Sequence, residues 1–281
     1  MHLSKVLKLS LTSWPPEMDE IKYTTALAKG QGIIEETLTL LRIWKPGMSA
    51  QGLVEIAVRE GVLRRATAKR THDLIIEAFA PRYLIDNGRP ARQLKALLET
   101  GADSRELTQL FFIYTARTNA ILKDFVREVY WGKYSAGATY ITRKDALSFL
   151  EGGYSLGKLP KKWSEKMMLR VASYLGGCLA DFHLIENRKT SNRKLSPFRI
   201  SSLTTLYLTH ELHFSGNSDN AIPDQPDWKL FGLEKIEIIR ELQRVANDHF
   251  ILQSSGELLR FSWKYNSMEE AINGIARSEL R

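Results

Sequence analysis

Apolar residues recur three to four positions apart through most of this 281-residue sequence. That spacing places them on one face of an α-helix, so it predicts a mainly helical fold. The chain is long enough for such helices to bury a substantial core. Residues that commonly cap helices stand in front of five of these segments. They are Ser49, Thr67, Thr142, Ser164 and Ser267.

Changes in residue pattern divide the chain into an arm and three larger units. The arm, residues 1–20, precedes the first helical segment and is expected to be flexible. The units are an N-terminal helical domain (21–87), a middle helical domain (88–200) and a C-terminal α+β region (201–281). In the last unit, the pattern of residues 201–215 fits either a strand or a helix. Two β-rich runs in "ILQSSGELLRFSWKY" predict a small hairpin.

Helical spacing continues over long stretches in two places. One predicted helix covers residues 23–44, with Thr24 or Thr25 as its cap, and another covers residues 103–134. A Gly152-Gly153 pair is expected to end a third helix, because glycine is a weak helix former. All three helix predictions depend only on the residue pattern of the segment itself.

The chain carries an excess of positive charge, with a formal net charge of +8 and a pI of about 9.4. A net charge of this size is informative about the binding partners of a protein and not about its fold. Nucleic acid is the first partner class that it favours, and an anionic membrane surface is the second. The alternative is that the extra Lys and Arg only keep the protein soluble. The composition, 43% hydrophobic and 26% charged, is typical of a folded domain and not of a disordered chain.

Cys178 is the single cysteine, which excludes an intramolecular disulfide and a cluster of thiolate zinc ligands. Its apolar, helix-like surroundings predict a buried structural thiol. A reducing, cytoplasmic location fits this usage. No apolar run reaches the length of a membrane span, and the N-terminus lacks the features of a secretory signal. We therefore expect a protein without a transmembrane helix.

The first candidate site lies in "GVLRRATAKRTHDLI", residues 61–75. Two helices joined by a short turn over residues 49–80 would form a helix-turn-helix, whose second helix enters the major groove. Basic residues and a helix-start threonine can meet phosphates there. The candidate residues are Arg64, Arg65, Thr67, Lys69 and Arg70. The alternative is a solvated turn between two helices.

The second candidate site lies in "GKLPKKWSEKMMLRVASYL", before and within another capped helix. "DFHLIE" could open a strand after this helix, and the basic segment 187–200 could be the wing of a winged helix. Trp163 is either an anchor in the core or a contact to sugar and phosphate. The candidate residues are Lys158, Lys161, Lys162, Lys166 and Arg170.

Catalytic patterns are missing from the sequence. It has no glycine-rich phosphate loop followed by Lys-Ser or Lys-Thr, and no carboxylate cluster typical of a nuclease. "HELH", residues 210–213, places two imidazoles three positions apart but has no third metal ligand nearby. We therefore expect no catalytic residues, no metal and no cofactor.

Four segments together resemble the BrxA family of bacterial BREX phage-defence systems. They are "YTTALAKGQGIIEETLTLL", "RRATAKRTHDLI", "NAILKDFVREVY" and "LPKKWSEKMMLRVASYLGGCLADFHLIE". The resemblance covers about residues 21–190. It implies a small, mostly helical, non-enzymatic accessory protein that is partly similar in fold to the antiterminator NusB and binds DNA. It also implies partners among the other BREX proteins, including a methyltransferase and an ATPase.

Residues and resemblance together predict a cytoplasmic DNA-binding accessory protein that holds duplex DNA largely by electrostatics. Two other interpretations stay open at this point. The basic faces could dock acidic surfaces of other BREX components, which would make the protein an interaction scaffold. The partial similarity to NusB instead favours RNA as the ligand.

Overall fold

The computed structural model describes residues 22–64, 66–159, 161–186, 192–256 and 258–279. The predicted arm and Arg65 lie outside the described residues. The α-helices are α1 (Ile34–Ile43), α2 (Ala50–Arg59), α3 (Ala68–Leu74), α4 (Ala80–Tyr83), α5 (Arg89–Glu99), α6 (Ser104–Thr118), α7 (Ala120–Asp124), α8 (Trp131–Ser135), α9 (Arg143–Ser155), α10 (Glu165–Asp181), α11 (Ser202–Phe214), α12 (Lys235–Val245) and α13 (Met268–Glu279). The strands are β1 (Tyr140–Thr142), β2 (Asn192–Lys194), β3 (Phe250–Ser255) and β4 (Leu258–Trp263).

The predicted mainly helical fold is confirmed. Strands pair only as two small antiparallel sheets within the described residues, β1 with β2 and β3 with β4. The second sheet is the predicted C-terminal hairpin. Short π-helical segments, Ile75–Phe79 and Phe125–Tyr130, join α3 to α4 and α7 to α8. No helix in the described part of the chain is both long and apolar enough to cross a bilayer.

The five predicted capping residues all begin helices. Each side-chain oxygen accepts a hydrogen bond from the backbone N–H three positions later, at 3.1 to 3.3 Å. The bond satisfies a donor that the first turn of a helix leaves unpaired. The caps are Ser49 for α2, Thr67 for α3, Thr142 for α9, Ser164 for α10 and Ser267 for α13.

The prediction of one helix over residues 103–134 was wrong. α6 ends at Thr118, and Asn119 leaves helical geometry with φ −132° and ψ 87°. The side-chain amide of Asn119 donates to the carbonyl of Thr115, 2.8 Å away, and to the Thr118 hydroxyl. A short polar side chain that bonds to nearby backbone competes with the helix, which explains the break.

The prediction of one helix over residues 23–44 was also wrong. A single 3₁₀ turn, Ala26–Ala28, is followed by an irregular loop before α1 begins. The buried guanidinium of Arg82 donates to the carbonyls of Gly30 and Gln31, and Asp181 accepts from the Gly32 amide at 3.0 Å. Distant side chains thus replace the helical hydrogen bonds of this loop.

Packing explains two further differences between the predicted and the observed helices, at the end of α9 and in α11. α9 does not end at its glycine pair but continues to Ser155. Gly153 lies where a Cβ would come within 2.8 Å of the Tyr23 ring, so the glycine serves close contact and not helix termination. Residues 202–214 form α11, and residues 203–212 are all buried. A helix without a polar face carries no amphipathic pattern, which is why the sequence left this segment open.

Arg117 connects α6 to the C-terminal region through a largely buried charge cluster. Its guanidinium donates to both carboxylate oxygens of Glu211 at 2.7 and 2.6 Å, and to Asp227 at 2.8 Å. Tyr114 also donates to Glu211, at 3.1 Å. Burial opposes ionisation of Glu211, but the Arg117 charge prevails and holds the pKa of Glu211 below its usual value.

Replacing Arg117 with Met should lower the free energy of unfolding by about 3 kcal/mol, because Glu211 and Asp227 would remain buried without their counter-charge. Denaturant unfolding measures the change. Arg105, exposed on the same helix, offers the matched control, and Arg105→Met should alter stability by no more than about 0.5 kcal/mol. Equal losses in the two variants would contradict the assigned role of the cluster.

The C-terminal hairpin packs on α11 through rings. His210 is fully buried, and its Nδ1 lies 2.8 Å from the carbonyl of Leu206. The His213 ring stacks on Trp263 with centroids 3.9 Å apart. Burial lowers the pKa of His210 to about 4 and also lowers the pKa values of His213 and His249. Burial in the core therefore keeps His210 in its neutral form near pH 7.

Stability should fall as the pH falls from 7.5 to 5. An unfolded histidine gains its proton near pH 6.5, whereas folded His210 resists protonation until about pH 4, so acid favours the unfolded chain. His210 alone accounts for about 2 kcal/mol over this interval. Denaturant unfolding at both pH values measures the loss, and His210→Gln should reduce it. A variant with the full wild-type pH dependence would refute this assignment.

Candidate nucleic-acid interface

Residues 139–159, 161–186 and 192–196 form a helical pair flanked by a small ribbon. β1 leads into α9, α10 packs against α9, and β2 returns to pair with β1. The segment after α10 also joins the ribbon, since the Ser196 amide donates to the Leu184 carbonyl at 2.9 Å and Ile185 bridges to Leu195. The returning strand therefore lies between the other two. The winged-helix interpretation of these helices and this ribbon stays a prediction, and residues 187–191 of the expected wing lie outside the described residues.

α10 presents one apolar and one polar face. Val171, Leu175 and Cys178 lie buried on its inner face, and the buried thiol agrees with the prediction for Cys178. Lys166 and Arg170 are exposed on the outer face. Residues four apart lie one above the other on a helix, about 6 Å along its axis. The two cations therefore form a line on the solvent side of α10.

Four predicted residues form what we call the α10 basic stripe: Lys161, Lys162, Lys166 and Arg170. All four are exposed, with the first two in the loop immediately before α10. None of their side chains makes a hydrogen bond or an ion pair with any residue that the structure describes. Trp163, between them, is half-buried and packs against the core, which supports its interpretation as an anchor.

Lys158, unlike the residues of the stripe, pairs with acidic side chains of the fold. Its ammonium group lies 2.8 Å from Asp124 and 3.4 Å from Glu128, and it stands over the Tyr23 ring. Burial opposes its charge, but the hydrogen bond to Asp124 prevails and raises the pKa of Lys158. The charge of Lys158 is already matched within the fold, so we leave this residue out of the proposed interface.

The N-terminal cluster lies on the loop between α2 and α3 and on the first turn of α3. Arg64 and Lys69 are exposed there. Thr67 uses its hydroxyl to cap α3, and Arg70 donates to the carbonyl of Lys29 at 2.7 Å. Thr67 and Arg70, although exposed, therefore have structural partners, whereas the side chains of Arg64 and Lys69 make no hydrogen bond or ion pair with a described residue.

Lys29 adds acidic neighbours to the N-terminal cluster. Its ammonium group pairs with Asp73 at 3.0 Å and with Glu77 at 2.8 Å, and the two residues lie in α3 and in the π-helical segment that follows it. The α10 basic stripe has no such carboxylate partners in the described structure. Of the two candidate sites, the stripe is the more open to an anionic ligand.

Sequence reasoning missed Arg143 and Arg193. Arg143 begins α9, and Arg193 lies on β2 directly opposite Ile141. Both line a cleft beside Ser173 and Gly176 on α10. Arg193 belongs to a segment already noted as basic, but charge alone does not show which arginine returns to the helix.

Comparisons with known proteins identify a family and a protein of similar fold. A family model described as BrxA matches residues 21–211. A crystal structure of an uncharacterized protein from Magnetospirillum magneticum matches with a TM-score of 0.55 and 19% identity, covering 69% of this chain and 95% of that chain. At this identity the likeness concerns the fold alone. No curated protein matches the sequence.

Substitution of Lys158 should weaken the fold and leave charge on the outer face of α10 unchanged. Lys158→Met removes the pairs with Asp124 and Glu128, and we expect a loss of about 1 kcal/mol in unfolding free energy. Lys162→Met is the matched control, an exposed lysine four residues later that should leave stability nearly unchanged. Thermal and denaturant unfolding compare the two, and equal stability would contradict this placement of Lys158.

Proposed function

The chain belongs to the BrxA family of accessory proteins associated with BREX phage defence, and from this premise we propose that it binds duplex DNA without catalysing a reaction. The α10 basic stripe is the principal contact in this proposal. The N-terminal cluster is a secondary contact, with Arg64 and Lys69 as its open members. Other components of the same system, such as a methyltransferase and an ATPase, are the proposed protein partners.

The observation that carries the proposal is the exposure of four cations on one helix start and helix face without a carboxylate partner in the described structure. A protein surface usually balances such charges with acidic neighbours, as it does for Lys29 and Lys158. Unbalanced cations create a local positive potential that attracts a polyanion. The regular phosphates of a duplex match that potential and release counterions when they are bound.

The position of the stripe supports a duplex as the ligand. In a helix-turn-helix arrangement the second helix of the pair approaches the major groove with its N-terminal part. α10 is the second helix of its pair, and the stripe covers the residues just before it and its first turns. Lysine and arginine at such positions contact phosphates, which orient the protein without reading sequence. Weak sequence preference follows from this composition.

A salt titration of duplex binding tests the proposal. Fluorescence anisotropy with a 20-base-pair duplex should show affinity that falls steeply as salt rises, with about 0.9 units of log–log slope for each phosphate contacted. Replacing Lys161, Lys162, Lys166 and Arg170 together with Ala should lower the slope by about 3.6 units, since four contacts are lost. Replacing Arg64, Arg65, Lys69 and Arg70 removes the same net charge and serves as the matched control, with a smaller expected decrease.

Equal decreases in the two variants would show that the two sites contribute alike and would refute the assignment of the principal contact to the stripe. Wild-type protein that does not bind duplex at about 50 mM salt would overturn the proposal and favour the scaffold interpretation. Displacement of the duplex by structured RNA at much lower concentration would favour RNA as the ligand.

A further inference from the structure

The guanidinium of Arg193 lies directly on the backbone of α10. A Cβ at Gly176 would come within 2.6 Å of Nη1 of Arg193, so this contact exists because residue 176 has no side chain. Arg193 is opposite Ile141 in the ribbon, and Ile141 is buried. Cross-strand partners share a face of the ribbon, so Arg193 extends from the inward face and is only half exposed.

A second arginine faces the same place. Arg143, the first residue of α9, lines a cleft together with Arg193, Ser173 and Gly176. Burial lowers the pKa of Arg193, and the nearby charge of Arg143 lowers it further. Two like charges beside one cleft repel each other, and in the described structure neither guanidinium has a hydrogen bond or ion pair to offset that cost.

Two acidic side chains on the neighbouring helices, Asp181 on α10 and Asp145 on α9, already have hydrogen-bond partners. Asp181 attracts Arg193 at longer range, but its carboxylate accepts the Gly32 amide at 3.0 Å. Asp145 accepts from the Thr142 amide and pairs with Lys133 at 3.0 Å. Neither carboxylate lines the cleft. An anion from outside the chain is therefore the group that would relieve the repulsion between the two arginines.

The size and position of the cleft select the kind of anion. The cleft is open to solvent and has a volume of about 30 Å³, enough for one or two water-sized groups. Ser173 stands one turn after Arg170 on the exposed side of α10, so the cleft continues the line of the α10 basic stripe. A phosphate oxygen fits this space, with the remainder of the ligand outside.

We propose that Arg143 and Arg193 form a phosphate-binding subsite that takes one phosphodiester of the DNA backbone, with the Ser173 hydroxyl as a further donor. This inference rests on the proposed function, because the duplex is the source of the phosphate. Arginine suits the role, since its planar fork of donors binds two phosphate oxygens at once. The subsite extends the interface from the start of α10 to the middle of its exposed face.

Substitutions at the two arginines test the subsite in the 281-residue protein. Arg193→Gln and Arg143→Gln should each weaken binding of a 20-base-pair duplex by about tenfold at 100 mM salt and lower the salt slope by about 0.9 units. Arg260→Gln is the matched control, since Arg260 is an exposed arginine on the other two-stranded sheet and its loss changes net charge equally. This control should shift affinity by less than about twofold.

A variant that keeps the net charge tests whether the position of the Arg193 guanidinium, and not only its charge, is needed for binding. Gly176→Ala places a methyl group where the Arg193 guanidinium lies and should weaken binding about as much as Arg193→Gln, without any change of net charge. Gly152→Ala, in open space on α9, is its control and should bind like wild type. Thermal unfolding checks that both variants are folded, and each affinity is calculated from the concentration of folded protein.

The outcomes distinguish the subsite from the proposed function. Duplex binding that weakens in the α10 stripe variant but not in Arg143→Gln, Arg193→Gln or Gly176→Ala overturns the subsite alone. Absence of duplex binding by wild type overturns both. Inorganic phosphate, followed by the side-chain Nε–H resonance of Arg193, tests the other source: saturation at millimolar phosphate combined with no response to duplex would overturn the assignment to the DNA backbone.

Discussion

The pairing of Arg117 with Glu211 and Asp227 is the constraint on which the arrangement of this protein depends. It joins α6 to α11 and to the turn at Pro226–Phe231, and each partner is mostly buried. Buried charges are tolerated only when their hydrogen bonds are complete, so this cluster permits few relative positions of the three elements. The region beyond residue 211, which the family model does not cover, is thereby fixed to the region that it does cover.

The sequence predicts this fold best where the determining interaction is local. A capping hydroxyl and its amide are three residues apart, and the caps of α2, α3, α9, α10 and α13 all lie where the sequence places them. It predicts the fold worst where the partner is distant. The loop at residues 29–33 looks helical until Arg82 and Asp181, which lie 51 and 149 positions from their partners, are known. Because α11 is buried on every side, it likewise lacks the amphipathic pattern from which a helix is predicted.

The same distinction applies to the candidate site. Charge in the sequence identifies Lys161, Lys162 and Lys166, and the structure shows them exposed. It also identifies Lys158, but the matching carboxylate of Asp124 lies 34 positions earlier and is visible only in the fold. Arg193 presents the opposite case, an arginine in an unremarkable basic segment that packing brings onto α10. A list of basic residues therefore becomes an interface only after each charge is checked for an internal partner.

One loop connects the two basic regions. Arg70 on α3 donates to the carbonyl of Lys29, and Asp181 at the end of α10 accepts from Gly32. Gln31 packs so closely on α10 that Gly177 has no room for a Cβ. The N-terminal cluster and the α10 basic stripe are thus held in a fixed relation through four consecutive residues, Lys29–Gly32. A partner that contacts both meets a preorganised surface and pays little ordering entropy on binding. The close fit of two glycines against this loop and against Arg193 explains why "GG" stands within α10, a position where the helix itself would favour alanine.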